Sequence, residues 1–503
     1  MKFIDNLLNR ITMYHLLVWY LEALLGAAML LGALGYLPYN PLAIAISAGC
    51  LVGICLLTNR IFANIFHAAS NPESSLITAL ILALIISPPA SAQSFIFLTA
   101  AAGLAIASKY ILTIKGRHIF NPAAIAVALT AIGAGESASW WVGSAVMAPF
   151  VIIGGLLLVR KIERFTMVGT FILTSVATTA VLALASHGDV LLVIQKTFLQ
   201  SSLLFLAFVM LTEPLTSPTQ GRQRRWYSVL AGLLFPPQIH LFGLYSTPEL
   251  VLVITNIYAF IVNPTAKLMP VLKQKLAWGQ RTVDFIFALD KPVAYLPGQY
   301  MEFTLPHSKP DSRGSRRYFT LASSPTENNL RLGVKFFPEG STFKQALMNM
   351  NEATPFAAAQ LGGDFVMPRD SGRKLAFIAG GIGVTPFRSM MKYLLDTNDP
   401  RSVTLLYSER SVGELAYHDV FTAAQAKPGT KVVYCLTDPG VPIPSGMRAG
   451  FITDEVIAAE IPDFRERLFY ISGPHAMVAA MKSNLKGMGV ADDSIKVDFF
   501  PGY

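Results

Sequence analysis

Hydrophobic positions divide this chain of 503 residues into two regimes. Before residue 267 they form ten nearly unbroken stretches: Met13–Leu37, Pro41–Leu57, Ser75–Ser87, Ala92–Ala107, His118–Gly133, Trp140–Val159, Phe165–Ala185, Val190–Thr212, Trp226–Gly243 and Pro248–Val262. Runs of this length predict bilayer-spanning helices, so residues 1–266 are expected to form a polytopic α-helical membrane domain of about ten spans. The third run is short, as helices broken around a midplane site are. Residues 267–280, with Lys267, Lys273, Lys275 and Trp278, read as a basic amphipathic linker lying on lipid headgroups. Over residues 281–370, short alternating segments between Gly and Pro turns predict an antiparallel β-barrel. Over residues 371–503, strands alternate with helices, which predicts an α/β domain with an open parallel sheet.

Charge adds a topology. With the N-terminus in the cytoplasm, Lys2, Arg10, Arg60, Lys109, Lys115, Arg117, Arg160, Lys161, Arg164, Arg222, Arg224 and Arg225 all fall on inner loops. The outer loops near residues 88–92, 135–139, 187–189 and 245–248 carry no Lys or Arg. This asymmetry predicts a multi-pass protein of a bacterial inner membrane with its C-terminal part in the cytoplasm. Lys196, inside the eighth run, is expected to snorkel to the outer surface. Topology accounts for most of the net charge of +9, and no nucleic-acid partner is needed. Cys50, Cys55 and Cys435 are too few to hold an iron–sulfur cluster or a disulfide framework, and no metal site is expected. His15, His67, His118 and His240 lack the paired spacing of a transmembrane haem protein.

The membrane part also repeats. Ile77–Pro89 matches Leu203–Leu215, and Phe120–Leu129 matches Ser246–Thr255; Pro88 falls on Pro214 and Pro122 on Pro248 with one common offset. Five spans per half is an odd number, so the second half would be inverted relative to the first.

The richest chemistry lies in Lys374–Leu394, where an apolar strand enters Gly380-Gly381-Ile382-Gly383 and then a helix opened by Thr385 and Pro386. Glycines allow close approach of backbone to a pyrophosphate, and the helix N-terminus favours an anion. Upstream stands RRYFTLASSP (316–325); downstream stand LFYISGPHAM (468–477) and VDFFPGY (497–503). In this order, over about residues 280–503, the four blocks resemble the ferredoxin–NADP reductase superfamily.

That resemblance implies FAD in the barrel and NAD(P)H in the sheet domain. Arg317 would meet the flavin pyrophosphate, Phe319 would pack along the flavin, and Thr320 would bond near its reactive nitrogen. Ser323 fills the last motif position. Lys335, Gly340, Ser341 and Thr342 stand in the second phosphate-contacting segment, and Gly362-Gly363-Asp364-Phe365 in the turn near the ring. Gly380, Gly381, Gly383, Thr385 and Pro386 would cradle the dinucleotide, with Ser472, Gly473, Pro474 and Met477 around the nicotinamide. Ser408 and Arg410 could grip a 2′-phosphate. Ser472 replaces a frequent Cys and Asp498 a more usual Glu; Phe500 and Tyr503 would cover the flavin. Thr320, Ser472 and Asp498 form the expected catalytic set.

Gly116–Ala124 (GRHIFNPAA) and Thr212–Pro218 (TEPLTSP) resemble a second family, the RnfD/NqrB membrane flavoproteins found in the Rnf complex and in the sodium-pumping NADH:quinone oxidoreductase. Over roughly residues 12–264 this implies ten spans and a membrane flavin. The family's S-G-A-T attachment loop is missing, and Ser175-Val176-Ala177-Thr178 lies inside a span, so non-covalent FMN or riboflavin is expected. Its candidate ligands are His118, Asn121, Thr212, Glu213 and Thr216. Together the two resemblances imply an NAD(P)H dehydrogenase sending electrons through FAD and a membrane flavin to a quinone or an extracytoplasmic flavinylated protein. A redox-driven sodium or proton transporter, and an NAD(P)H:quinone reductase without transmembrane transfer, are the alternatives.

Overall fold

The computed structural model describes residues 8, 11–66, 72–114, 117–241, 243–263, 267–308, 310–311, 314–338, 340–440 and 442–500. The chain forms two compact units, Met1–Ala266 and Lys267–Tyr503.

The first unit is helical: α1 (Met13–Ala33), α2 (Pro41–Ile65), α3 (Pro72–Ile85), α4 (Ala92–Ile111), α5 (Pro122–Ala134), α6 (Ala148–Ile162), α7 (Phe165–Ala185), α8 (Val190–Leu199), α9 (Gly221–Leu234) and α10 (Pro248–Val262). Helices α1, α2, α4 and α7 are long and apolar enough to cross a membrane; α8 and Leu203–Met210, bent by 59°, make a fifth if they are one span. Large apolar side chains point outward on these helices: Leu173 is 72% and Leu191 77% exposed, a surface that water does not favour. Apolar residues surround α3, α5 and the 203–210 segment on nearly all sides, and these pieces are accordingly buried.

Local chemistry shortens several expected runs. Arg117–His118 pairs as a small hairpin with Thr113–Ile114, and α5 starts only at Pro122. There the Asn121 side chain accepts from the Ala124 N–H (3.1 Å), and a proline ring suits the first helical position. Trp140 takes a left-handed φ of 52°, so α6 begins eight residues later than the expected run. Pro236 and Pro237, lacking amide donors, follow the end of α9 at Leu234. Residues Leu206–Met210 form a π-helical turn immediately before Thr212-Glu213-Pro214. Such widened turns leave backbone groups free and recur at functional sites.

In the second unit, the segment expected as a linker over 267–280 is a strand, β1 (Val271–Trp278), paired antiparallel with β2 (Thr282–Ala288). The two faces of this strand, Leu272 buried and Lys273 exposed, produce the alternation that reads as a surface amphipath. With β5 (Asn329–Lys335) these strands form one sheet; β6 (Ala357–Gly362), β3 (Tyr300–Thr304) and β4 (Arg316–Thr320) form a second. Both enclose a core that includes Phe285, Phe287, Phe303, Phe343 and Phe356, and a Leu268–Ala358 bridge joins them. Helix α11 (Thr342–Asn349) packs Phe343 and Leu347 into that core.

The remaining strands, β7 (Leu375–Gly380), β8 (Val403–Glu409), β9 (Thr430–Leu436), β10 (Arg448–Ala449), β11 (Leu468–Pro474) and β12 (Ile495–Phe500), form a parallel sheet in the order β10-β9-β8-β7-β11-β12. Helices α12 (Thr385–Asp396), α13 (His418–Gln425), α14 (Asp454–Glu460) and α15 (His475–Gly487) connect it. After β10 the chain crosses to the far side of β7. The carboxyl ends of β7 and β11 therefore flank the switch point where such sheets bind ligands.

Candidate functional site

Two glycine-bearing segments, ninety residues apart in the chain, meet at that switch point. A Cβ on Gly383 would lie 2.4 Å from the Ser472 carbonyl oxygen and 2.5 Å from Gly473 Cα. One on Gly380 would lie 2.1 Å from Met477 Sδ. Gly381 has φ 56°, the left-handed region open to glycine at little cost. Thr385 and Pro386 open α12 directly behind the loop. Ser472 pairs in register with Ala379 on one side and Asp498 on the other. Its Oγ is buried and meets no hydrogen-bond partner among the described residues. An orphaned hydroxyl beside a backbone cradle fits a ligand with a polar edge such as nicotinamide. Ser408 pairs in register with Gly380, and Arg410 is exposed just beyond β8.

Lys335 belongs to this loop rather than to the Gly340–Thr342 turn with which the sequence groups it. Alternation along β5 buries Val334 in the barrel and turns Lys335 outward, where its Nζ donates to Glu409 (2.7 Å) and Glu414 (2.9 Å). Burial pushes the Glu409 carboxyl up. Burial acts likewise on Glu414, but the Lys335 hydrogen bond wins and holds it below its ordinary value. A Cβ on Gly333, in the same strand, would strike Tyr417 Oη at 2.3 Å and Thr385 Cγ2 at 2.7 Å. The barrel thus lies against the glycine loop.

The flavin candidates gather at the start of α11. Ser341 caps it by accepting from the Lys344 N–H (3.3 Å). The Arg317 guanidinium sits over the Phe343 ring (5.2 Å), and Phe319 packs on Phe303 and Phe343. Asp311 accepts from the Thr342 N–H (3.2 Å) and pairs with Arg317 (3.3 Å). An incoming phosphate would take over these same donors, so the set suits a pyrophosphate. Thr320 is buried at the end of β4, opposite Tyr300. Gly340 precedes the Ser341 cap, and Gly363 (φ 112°) lies against the Tyr300 ring. Ser323 is brought elsewhere: its Oγ accepts from the Arg331 N–H (3.1 Å) and bonds Tyr295 Oη (3.0 Å), while its carbonyl accepts from Ser389 (2.5 Å). It joins the lobes instead of offering a free hydroxyl. Tyr503 and His67 lie outside the described residues.

Sequence reading missed an ionic cluster between the two lobes of this unit. Arg388, only 2% exposed, donates to Glu327 and to the Ala322 carbonyl. Arg331 Nε approaches Asp284 at 2.9 Å, and Tyr417 Oη donates to the same carboxylate (3.1 Å). Burial raises Asp284 despite Arg331 and Arg388. Burial also opposes ionisation of Glu327, yet its bonds to Arg388 hold it below the ordinary carboxylate value. The signal available was three charged residues at strand and helix positions, of which only Arg331 has a local partner, Glu327 four residues before it.

In the first unit, His118, Asn121, Thr212, Glu213 and Thr216 all line one cleft. Glu213 Oε2 accepts from Asn121 Nδ2 and Thr216 Oγ1, both at 2.8 Å. The Asn121 N–H donates to Asn256 Oδ1 (2.8 Å), and Asn256 donates to the Thr216 carbonyl (3.0 Å). This network ties α5 and α10 to the break after the π turn. The lining of the cleft combines apolar walls with a few fixed polar groups, the character of a small-molecule site.

Residues 377–483 match the oxidoreductase NAD-binding domain family. The chain is 25% identical over 213 residues to a flavohemoprotein of Oceanobacillus iheyensis, covering 41% of this chain and 51% of that protein. It is 26% identical over 217 residues to a glycine betaine monooxygenase reductase subunit of Chromohalobacter salexigens, covering 42% and 58%. It is 27% identical over 218 residues to the ferredoxin–NAD(P)+ reductase component of the naphthalene 1,2-dioxygenase system of Pseudomonas putida, covering 42% and 63%. The chain thus spans between about half and five-eighths of the length of these curated relatives. The C-terminal half is a ferredoxin–NADP reductase-like, FAD/NAD-binding oxidoreductase domain.

Proposed function

We propose that this chain is a multi-pass NAD(P)H dehydrogenase of a bacterial inner membrane. Electrons enter from cytoplasmic NAD(P)H through FAD, pass to a non-covalent flavin in the membrane unit, and leave to an extracytoplasmic flavinylated protein or a quinone. The observation that carries this reading is the convergence of His118, Asn121, Thr212, Glu213 and Thr216 on one cavity, in a chain whose other half binds FAD and NAD. The relatives named as reductase components support the entry half.

In that half, Arg317 and the Thr342 N–H hold the FAD pyrophosphate. The Gly380–Gly383 loop holds the dinucleotide, and the Ser472 hydroxyl orients the nicotinamide. Asp498 sits beside Ser472 in the neighbouring strand, and Thr320 bonds the flavin near its reactive nitrogen. FAD, when bound, supplies a carrier that accepts a hydride and returns electrons singly; the protein supplies position and electrostatics. A hydrocarbon core of roughly 30 Å is too thick for a single productive hop, which is why a carrier within the helices is required.

The inverted repeat of five spans belongs to the same proposal. The end of α3 meets the start of α10 through Trp140, whose N–H donates to the Ile85 carbonyl (2.8 Å) and whose Nε1 donates to Glu249 (2.9 Å). The end of the 203–210 segment meets the start of α5 through Glu213 and Asn121. Two equivalent junctions of one helix end with one helix start support a two-fold relation between the halves.

The test is the whole protein in sealed proteoliposomes, with NADH or NADPH outside and ferricyanide trapped inside. Interior reduction that depends on added nucleotide supports the wire. Reduction only of quinone in the bilayer favours quinone reduction without transmembrane transfer, and a sodium-dependent rate favours ion transport.

A further inference from the structure

Helix α12 is fastened at both ends of its first turn. Thr385 and Pro386 stand behind the glycine loop, and the residues that follow grip the barrel lobe. Arg388 donates through Nη1 to the Ala322 carbonyl (3.0 Å) and through Nη2 to Glu327 Oε1 (2.9 Å). Ser389 Oγ donates to the Ser323 carbonyl (2.5 Å), and at the far end of the helix Asp396 accepts from Thr326 Oγ1. Every barrel residue in this set lies in the segment 322–327, which starts two residues after Thr320.

That segment is itself held. Glu327 accepts from the Ser324 N–H (2.7 Å), which closes the turn, and the Ala322 N–H donates to the Arg331 carbonyl (2.9 Å), which ties the turn to β5. The Arg388 guanidinium lies over the Tyr417 ring (5.8 Å), and Tyr417 Oη donates to Asp284 on β2 (3.1 Å). Arg388, Ser389, Ser323 and Asp284 are all buried. A guanidinium presents its donors as a rigid planar fork, so α12 cannot slide or tilt against 322–327 without breaking a buried, charge-assisted bond.

Hydride transfer moves a hydrogen with its electron pair from the nicotinamide ring to a flavin nitrogen, oxidising NAD(P)H and reducing FAD. The reacting atoms must come within about 3–3.5 Å, and a misplacement of about 1 Å can cost about 100-fold in rate. Resting on the reading that Thr320 meets the flavin and the Gly380–Gly383 loop meets the dinucleotide, we propose that Arg388 is a positioning residue for this transfer. It touches neither reactant. Through α12 on one side and residues 322–327 on the other, it sets the separation of nicotinamide and flavin, and it leaves nucleotide affinity to the glycine loop.

The test is anaerobic stopped-flow reduction of FAD in the whole detergent-purified protein, with the limiting rate and the NADH dissociation constant both taken from the concentration dependence. Arg388→Met should slow the limiting rate about 100-fold and change the dissociation constant less than about threefold. It should also abolish the long-wavelength charge-transfer absorbance of a nicotinamide stacked on a flavin. Arg388→Lys keeps the charge without the fork and should fall between wild type and Arg388→Met. Arg388→Met combined with Glu327→Gln removes the unpaired charge and keeps an acceptor for the Ser324 N–H, so it should regain stability and remain slow. FAD content and thermal unfolding check that each variant is folded; should Arg388→Met not fold, the double variant and Arg388→Lys carry the test. Wild-type rate and absorbance in these folded variants, or recovery of the rate together with stability in the double variant, overturns the positioning role. Failure of the underlying site reading is distinct: Gly383→Ala and Ser472→Ala would then leave nucleotide affinity and reduction rate at wild-type values.

Discussion

The two glycines at the switch point offer a graded perturbation. In Gly383→Ala the new methyl meets the backbone of Ser472 and Gly473 at 2.4 to 2.6 Å, where nothing can rotate away. Either the loop or β11 must shift, and such overpacking costs about 1–3 kcal/mol. Where the shift opens the cradle, nucleotide affinity should fall about 5- to 150-fold. In Gly380→Ala the collision, at 2.1 Å, is with Met477 Sδ, near the end of a flexible thioether that can swing aside. The cost there should stay under about 1 kcal/mol, and Gly380→Ala with Met477→Ala should relieve the clash. Thermal unfolding and calorimetric titration of NAD+ into FAD-loaded whole protein measure both effects. Equal losses for the two alanines, or wild-type affinity in Gly383→Ala, would refute the cradle and its contact with β11.

Arg388→Met removes the guanidinium bonds of half-buried Glu327, which keeps the Ser324 N–H (2.7 Å) and Arg331 (3.9 Å) as partners, so urea denaturation should show a loss of about 1.5–3 kcal/mol. Because Glu327 is held below its ordinary value, its contribution is present above the usual carboxylate range and fades as pH falls through the lowered value. Glu327→Gln should therefore flatten the acid limb of a stability–pH curve; Asp284, raised by burial, works in the opposite sense. Asp463, held down to about 2 chiefly by its hydrogen bond to Arg467, stabilises above the ordinary value of 3.8 and loses that contribution towards pH 2. Asp463 is partly exposed and Arg467 is buried and keeps its bond to the Leu375 carbonyl, so Asp463→Asn should remove about 1 kcal/mol, seen as a shallower acid transition. Ser472→Ala deletes a buried hydroxyl that has no protein partner among the described residues, so melting should move little. Stopped-flow reduction of FAD by NADH should nevertheless slow, and an unchanged rate would remove Ser472 from the site.

Much of the second unit was legible because its chemistry is local. A strand, a glycine turn and a proline-opened helix are consecutive in Lys374–Leu394, and all three stand where the pattern puts them. Lys335 was misplaced because the next residues contain a phosphate-type turn, whereas the pleat of β5 turns its side chain to Glu409 and Glu414. The Asp284–Arg331–Glu327–Arg388–Tyr417 cluster was invisible because its members come from four separate segments, and only the packed lobes pair them. In the first unit, proline and capping residues marked where α5 and α10 begin, but the bend at residues 200–202 has no proline or glycine to announce it. The cavity that follows the bend is legible only in part: Asn121 and Glu213 stand out as polar residues at breaks, whereas Lys109 and Ser74 look like ordinary loop-flanking groups.

The status of Val271–Trp278 as a barrel strand decides where the two halves can be cut apart. Scissors placed at residue 280, where the basic run ends, would strip a whole ladder of backbone bonds from β2. An unzipped margin of that kind recruits foreign strands, so the shortened reductase would be expected to clump rather than fold. A cut before Leu268 spares the ladder and also keeps the bridge to Ala358 that closes one sheet onto the other.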